Sequence, residues 1–181
     1  MKREMVRNIM ERFVPGRYAF AGQEQMVYDP SLRTLCEANR CGKYGRSYTC
    51  PPAVGPVEEL IARAGEYPAA ALYQTVARLE DSFDYEGMMA AKAAHFDCSR
   101  QIQRELLSLS GERFLHLSAG SCSLCPKCAI EEGQPCRSPA YALHSMEAYG
   151  IFVSRTAAGF GLPYINGENT VTYFGLILFE E

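Results

Sequence analysis

The sequence predicts an α/β or α+β fold, in which helices pack on a small mixed sheet that carries two cysteine-rich metal-binding loops. Segments with helix and strand patterns alternate along the chain, and 181 residues suit one domain with its own core. Seven of the eight cysteines fall into two tight groups. We therefore expect a single metal-binding domain over residues 1–181, with cysteine segments at 36–52 and 120–138.

The first part of the chain combines helix patterns with a loop that is rich in turn residues. Apolar residues three to four positions apart predict an amphipathic helix at the start, and glycine with proline predicts a loop shaped by turns further on. The predicted elements are a helix over 2–13, a strand or short hairpin within 17–28, a helix that follows Asp29-Pro30-Ser31 and carries Cys36 near its end, a loop over 39–56 and a helix over 56–67.

The second part predicts most of the sheet. A continuous apolar run at 69–78 is typical of a buried strand, and the following elements are a helix over 84–109, a strand over 112–119, a helix that begins at Ser138-Pro139, and a last strand over 170–179. The inner face of the helix after Ser138 would hold Ala142, Met146, Tyr149, Val153 and Phe160. The last strand ends in an apolar stretch, Leu176 to Phe179, that would serve as the edge of a homodimer.

Charge and hydropathy narrow the classes of function. The net charge is -3 and no basic patch is visible, so we expect no binding to nucleic acid. The N-terminus lacks a signal peptide, and no apolar run reaches the ~20 residues that span a bilayer, so we expect a cytoplasmic protein without membrane contact. Thiols stay reduced in the cytoplasm, which favours metal binding over disulfides.

The C-terminal cysteine group has the pattern Cys122-x2-Cys125-x2-Cys128-x7-Cys136. Thiolates are soft ligands that suit iron–sulfur clusters and zinc, and a [4Fe–4S] cluster needs four of them. Structural zinc sites usually use two short cysteine pairs separated by a longer loop, which three equally spaced cysteines match poorly. The spacing therefore favours a [4Fe–4S] cluster, with zinc as the alternative.

The N-terminal group, Cys36-x4-Cys41-x8-Cys50, supplies three thiols and leaves three interpretations open. It holds a second metal centre with one open or non-cysteine position, or it takes Cys98 as its fourth ligand. In the third interpretation the groups exchange members, as in two-cluster ferredoxins, and Cys50 ligates the C-terminal centre. Cys98 has no local partner, which also suits a simple core residue.

Other residues could assist these centres. Lys127 and Arg137 flank cysteines and could offset the negative charge of a thiolate cluster, or they are ordinary solvated surface charges. Tyr44 and Tyr48 lie in the N-terminal loop, where they would shield the metal from water. His144 is the outlying candidate for a metal ligand, while the sequence favours a surface or core role for all three histidines. Glu147 is a candidate catalytic carboxylate or an ordinary exposed helix residue.

Two longer motifs resemble a known family. The first is CEANRCGKYG at 36–45, which runs on to Cys50, Pro51 and Pro52; the second is AGSCSLCPKCA at 119–129, followed by GQPCRSP at 133–139 and SMEAYGI at 145–151. The chain resembles the cysteine-rich predicted metal-binding proteins of bacteria and archaea (domain of unknown function 2284) over roughly residues 15 to 180. The resemblance implies metal binding through the seven clustered cysteines. It also strengthens the case for Glu147 as a functional residue, because SMEA belongs to the family's motif.

The residues and the resemblance together lead to three hypotheses. The first is an iron–sulfur protein with a redox role in anaerobic metabolism, as an electron carrier or an accessory protein, whose redox partner is an unknown protein or small molecule. The second is an enzyme in which an open iron at the three-cysteine site binds a small substrate and Glu147 exchanges a proton. The third is a zinc-stabilised interaction module. We expect a total of two metal sites in the protein.

Overall fold

A computed structural model describes residues 3–180 of the chain. Within these residues the fold is mixed α+β, with five α-helices and a five-stranded mixed sheet, which confirms the predicted class. The helices are α1 (Arg3–Phe13), α2 (Arg33–Glu37), α3 (Val57–Gly65), α4 (Tyr85–Ser108) and α5 (Val153–Gly159). The strands are β1 (Tyr18–Gly22), β2 (Ala69–Arg78), β3 (Phe114–Ser118), β4 (His144–Ser145) and β5 (Thr170–Phe179).

The sheet has the order β1-β2-β5-β3-β4, and only the last pair is parallel. The long antiparallel pair of β2 and β5 forms its centre, with Ala69 opposite Phe179 and Arg78 opposite Thr170. Leu176 pairs with Leu72 on one side and with Leu117 on the other. The predicted dimer edge is therefore wrong at this strand, because β5 is interior where its apolar end lies.

Two layers of helix cover the two faces of the sheet. Side chains of a strand alternate between faces, so Leu72 and Tyr73 enter different core clusters. One cluster joins the sheet to Leu60 of α3 and Ala157 of α5, and the other joins it to α1 and α4, for example through Met10. Both faces are buried, which explains the continuous apolar run of β2.

The helix predicted from Ser138 is wrong. Residues 139–141 and 147–149 form single 3₁₀ turns, β4 lies between them, and α5 starts only at Val153. Tertiary pairing overrides the helical spacing here, because β4 joins β3 through Leu117 opposite His144. Gly150, with φ +66°, then ends the second turn in the left-handed region that glycine adopts without strain.

Candidate metal centre

The N-terminal cysteine segment folds back on itself beside α2. Cys36 lies within this helix, and the chain then passes through a series of turns with no regular helix or strand until α3. The N–H of Gly45 donates to the carbonyl oxygen of Pro51 at 2.8 Å, which closes the loop that contains Cys50. As a result Cys36, Cys41 and Cys50 line the same cavity.

This cavity has a volume of about 560 Å³, which lies within the usual range of small-molecule sites. Its lining is mostly apolar, and a few polar groups converge on it from distant parts of the chain. The polar and charged side chains at its wall, besides the three cysteines, are Arg40, Lys43, Lys92, Ser121, Ser145 and Glu147. The site thus combines thiols, cations and one carboxylate around a space large enough for a ligand.

The thiols of this group lie close enough to influence one another. Burial raises the pKa of Cys36 and of Cys50, and the neighbouring Cys41 raises both further. Arg33 opposes the effect at Cys36, and hydrogen bonds from Thr49 oppose it at Cys50. A metal ion binds thiolates, so its binding here would release protons that burial otherwise holds on sulfur.

Glu147 reaches the cavity from the 3₁₀ turn that follows β4. Its side chain is accessible because the cavity is open, yet protein surrounds the carboxylate within the concave wall. This partial desolvation raises the pKa of Glu147, and hydrogen bonds from its own backbone N–H and from Ser145 oppose the rise. Glu147 is therefore not an ordinary helix residue, because it lies outside any α-helix and faces the cysteine cavity.

Two features hold this turn in place. Arg33 donates to the carbonyl oxygens of Gly55, at 2.9 Å, and Ala148, at 3.0 Å, and so ties α2 to both neighbouring segments. At Gly150, an added Cβ would lie 3.0 Å from Ile61 and 3.1 Å from Val57. The turn is thus locked against α3, which fixes the direction of Glu147.

The C-terminal cysteine segment begins where β3 ends. Cys122, Cys125, Cys128 and Cys136 line one small cavity of about 30 Å³, together with the 3₁₀ turn that starts at Ala129. Burial is the largest cause that raises the pKa of Cys122, and the other three thiols of the group add to it. All four cysteines therefore border one cavity, which is much smaller than the cavity of the N-terminal group.

Charged side chains border this second group. Arg137 donates to the carbonyl oxygen of Lys127 at 3.1 Å and to Glu132 at 2.8 Å. The Cys125 thiol nearby is the main cause that raises the pKa of Arg137. Lys127 instead lies 3.7 Å from Glu132 and forms a surface ion pair.

The two cysteine segments touch each other. The backbone N–H of Cys122 donates to Thr49 Oγ1 at 3.0 Å, in a contact buried beside Ser47. Tyr48 donates its hydroxyl proton to the carbonyl oxygen of Gln134 at 2.7 Å. An ion pair of 2.9 Å between Arg46 and Glu131 spans the same seam at the surface. The two groups are thus neighbours in space although about seventy residues separate them.

Comparison with known proteins supports the resemblance. The family model described as a predicted metal-binding protein (DUF2284) matches residues 21–179, which is most of the chain. The chain belongs to the DUF2284 family. No curated protein and no solved structure matches. Membership of DUF2284 therefore brings an expectation of metal binding.

The fit of a metal to this DUF2284 chain has two sides. The donors fit, because four thiols line one cavity and three line another, and thiolates suit iron–sulfur clusters and zinc. The side chains, however, are not arranged as they would be around a bound ion. Across residues 3–180, no group of three or more His, Cys, Asp or Glu side chains is placed to hold one. The metal assignment therefore rests on the donor sets and the family.

Other predicted candidates lie apart from the thiols. Tyr44 does not line either cysteine cavity, and its backbone N–H donates to Asn39 Oδ1 at 3.0 Å. His144 packs on Tyr149, and burial with nearby Arg63 lowers its pKa to about 4. Cys98 packs in the core cluster of α1 and α4, where its thiol donates to Phe13 at 3.9 Å. The structure thus brings none of the three to a cysteine group.

The other two histidines belong to a buried polar network between the sheet and α4. His116 Nδ1 donates to Gln103 Oε1 at 3.0 Å, because an amide oxygen only accepts, and its Nε2 therefore accepts from Tyr73 at 2.8 Å. Gln103 in turn donates to the carbonyl oxygen of Ala140 at 2.7 Å, just after the C-terminal cysteine segment. The network anchors that segment to the core.

Three residues of the site escaped the sequence analysis. Arg33, Thr49 and Lys92 have no metal-ligand spacing, and their roles depend on contacts between distant segments. A signal existed only for Lys92, which lies three residues before His95 on the inward face of the predicted helix. A lysine on such a face indicates a cation directed toward the body of the protein.

No helix within residues 3–180 has the length and apolar character needed to cross a membrane.

Proposed function

We propose that Cys122, Cys125, Cys128 and Cys136 bind a [4Fe–4S] cluster and that the protein has a redox role. The observation that carries this proposal is the convergence of four thiols on one small cavity. Four cysteine thiolates are the ligand set of such a cluster, and a fully ligated cluster mainly transfers electrons. Arg137 beside Cys125 would place a positive charge near the cluster and raise its reduction potential.

The neighbouring N-terminal group supports a redox role. The seam formed by Thr49, Tyr48 and Arg46 keeps the two cysteine groups side by side, so a second metal centre would lie close to the first. In this proposal Cys36, Cys41 and Cys50 hold that second centre. Electrons would pass between the two centres and an external donor or acceptor.

The test is spectroscopic. Protein purified without oxygen should be brown, should bleach on addition of dithionite, and should then give the EPR signal of a reduced cluster. The Cys125→Ser variant should lose the part of this signal that belongs to the C-terminal cluster, whereas Cys98→Ser, which changes a thiol outside both groups, should keep the whole signal. A colourless wild-type protein that contains zinc would contradict the proposal and favour the zinc-stabilised module.

A second candidate function is catalysis at the N-terminal group. It is favoured by the open cavity that Cys36, Cys41 and Cys50 share with Glu147. A centre with three protein ligands leaves a position for substrate, and a carboxylate whose pKa is raised by burial can serve as a proton donor or acceptor. If this function is correct, Glu147→Gln should abolish turnover of a substrate while the EPR signal of the C-terminal cluster persists.

A further inference from the structure

The wall of the cavity of the N-terminal group also includes residues from outside the N-terminal cysteine segment. Lys92 of α4 lines it together with Gly120 and Ser121. Lys92 is half-buried, and its Nζ lies 5.8 Å from the ring centroid of Phe96. A Cβ built at Gly120 would lie 3.7 Å from Lys92 Nζ, so the ammonium group lies close to this glycine at the cavity wall.

No acidic partner neutralises this cation. In the part of the chain that the structure describes, residues 3–180, Lys92 forms no ion pair, whereas Lys127 pairs with Glu132. An unpaired ammonium group at a cavity wall is available to an anionic ligand, with which it would form a charge-assisted hydrogen bond.

The rest of the cavity fits an apolar ligand body. Leu32, Leu35, Pro51 and Ala148 line it, and Leu35 is 67 % exposed, which leaves a large apolar side chain uncovered at the rim. Arg40 and Lys43 also face the cavity, so cations outnumber the single carboxylate of Glu147. The electric field at the entrance therefore attracts anions.

We propose that this cavity binds a small carboxylate with an apolar chain, whose carboxylate pairs with Lys92 and whose chain lies against Leu32 and Leu35. Ser121, which also lines the cavity, would offer its hydroxyl as a further hydrogen-bond donor. The inference goes beyond the proposed redox function, because it requires no metal in the cavity. It also names the substrate class that the second candidate function would use.

The test is calorimetric titration of the full-length protein with hexanoate and with hexanamide, which has the same chain without the charge. Hexanoate should bind at least about tenfold more tightly than hexanamide, since a charged hydrogen bond contributes about 1.4 kcal/mol or more. Lys92→Met should remove this preference, and Lys92→Arg should retain most of it. Arg78→Gln, which removes an exposed cation at the far end of β2, should bind hexanoate as the wild type does.

Several outcomes would overturn the proposal. One is the absence of hexanoate binding to the wild type, and another is equal affinity for hexanoate and hexanamide, which requires no variant. If Arg78→Gln loses as much affinity for hexanoate as Lys92→Met does, the effect would come from the net charge of the protein and not from a site at Lys92. Iron and zinc are measured on each sample: a loss of metal in Lys92→Met together with hexanoate binding would assign Lys92 to the metal centre instead. A colourless wild type that binds hexanoate would contradict only the redox function.

Discussion

The two cysteine groups differ in the space around their thiols. The C-terminal group closes four thiols around about 30 Å³, whereas the N-terminal group exposes three thiols to a cavity of about 560 Å³ that also contains Glu147 and Lys92. A closed four-thiol set suits a centre that transfers electrons, and an open three-thiol set leaves room for a ligand. The proposals above therefore assign a carrier site to the C-terminal group and a binding site to the N-terminal group.

The supports of the two groups differ as well. The N-terminal group depends on the turn at residues 147–149, which Arg33 and Gly150 hold against α2 and α3. The C-terminal group depends on the buried network that reaches Ala140 through Gln103. Variants that weaken one support and spare the other can therefore separate the two regions.

The largest effect is expected at Gly150, which belongs to the N-terminal support. Gly150→Ala places a side chain in the left-handed region and presses its Cβ against Ile61 and Val57, so the free energy of unfolding in urea should fall by about 3 kcal/mol. The matched control is Gly161→Ala, which has φ +70° with open space around the Cβ and should lose only about 1 kcal/mol. Equal losses would contradict the close packing at Gly150.

The next effect is a loss of stability in acid, which should come from the buried histidines that support the C-terminal group. Burial lowers the pKa of His95 to about 4 and of His116 to about 3, so both stay neutral in the fold while the unfolded chain takes up protons below about 6.5. Their contribution to stability is thus complete above pH 6.5 and is lost as the pH falls toward 4 and 3.

The corresponding experiment measures unfolding in urea between pH 7 and pH 5. Each histidine should lower the free energy of unfolding by up to about 1.4 kcal/mol per pH unit once the pH is well below 6.5. His116→Gln should be less stable than the wild type at pH 7. Its free energy of unfolding should, however, fall less steeply with pH, because one of the two titrating histidines is missing. An unchanged slope in His116→Gln would show that His116 does not stay neutral in the fold.

A smaller effect is expected at the seam between the two groups. Thr49→Val keeps the shape of the side chain and leaves the N–H of Cys122 without its acceptor, at a cost of about 1–2 kcal/mol in the free energy of unfolding. Thr34→Val is the control, because Thr34 is exposed and its hydroxyl bonds only a local carbonyl, so the loss should stay below about 0.5 kcal/mol. If both variants behave alike, the buried contact does not join the two segments.

The smallest effect is expected at the surface of the same seam. Arg46→Gln removes an ion pair whose arginine side chain is 61 % exposed, so the melting temperature should change only slightly, by the equivalent of about 0.5 kcal/mol. The change should vanish in about 1 M salt because of screening. Arg12→Gln, which breaks a similar exposed pair with Glu105 away from the cysteines, should behave in the same way. A loss that persists in high salt would mean that Arg46 has a different role.

The sequence predicted those parts of the fold whose pattern is local. The apolar run of β2 and the long periodic helix α4 were placed within one residue of their ends, because burial on both faces and helical spacing leave clear signals. Residues 139–152 were predicted wrongly, because single 3₁₀ turns and the two-residue strand β4 depend on pairing with β3. Helical spacing at Met146 and Tyr149 reflects a shared core cluster rather than a helix.

The candidate site divides in the same way. Cysteine spacing predicted two groups of thiols, and each group does line a single cavity, because the turns of its own segment bring its cysteines back to one place. The contact between Thr49 and Cys122 and the arrival of Lys92 at the cavity wall depend on how distant segments pack. Such contacts leave no spacing pattern in a single sequence, so they became visible only in the structure.

The central claim is that the four thiols of the C-terminal group form a separate iron–sulfur site. It is tested most directly by counting iron, acid-labile sulfide and zinc per chain in protein purified without oxygen, for the wild type, Cys125→Ser and Cys41→Ser. We predict at least about four iron and four sulfide in the wild type, a loss of about four of each in Cys125→Ser, and retention of those four in Cys41→Ser. Zinc without iron in the wild type, or the same loss in both variants, would contradict the claim.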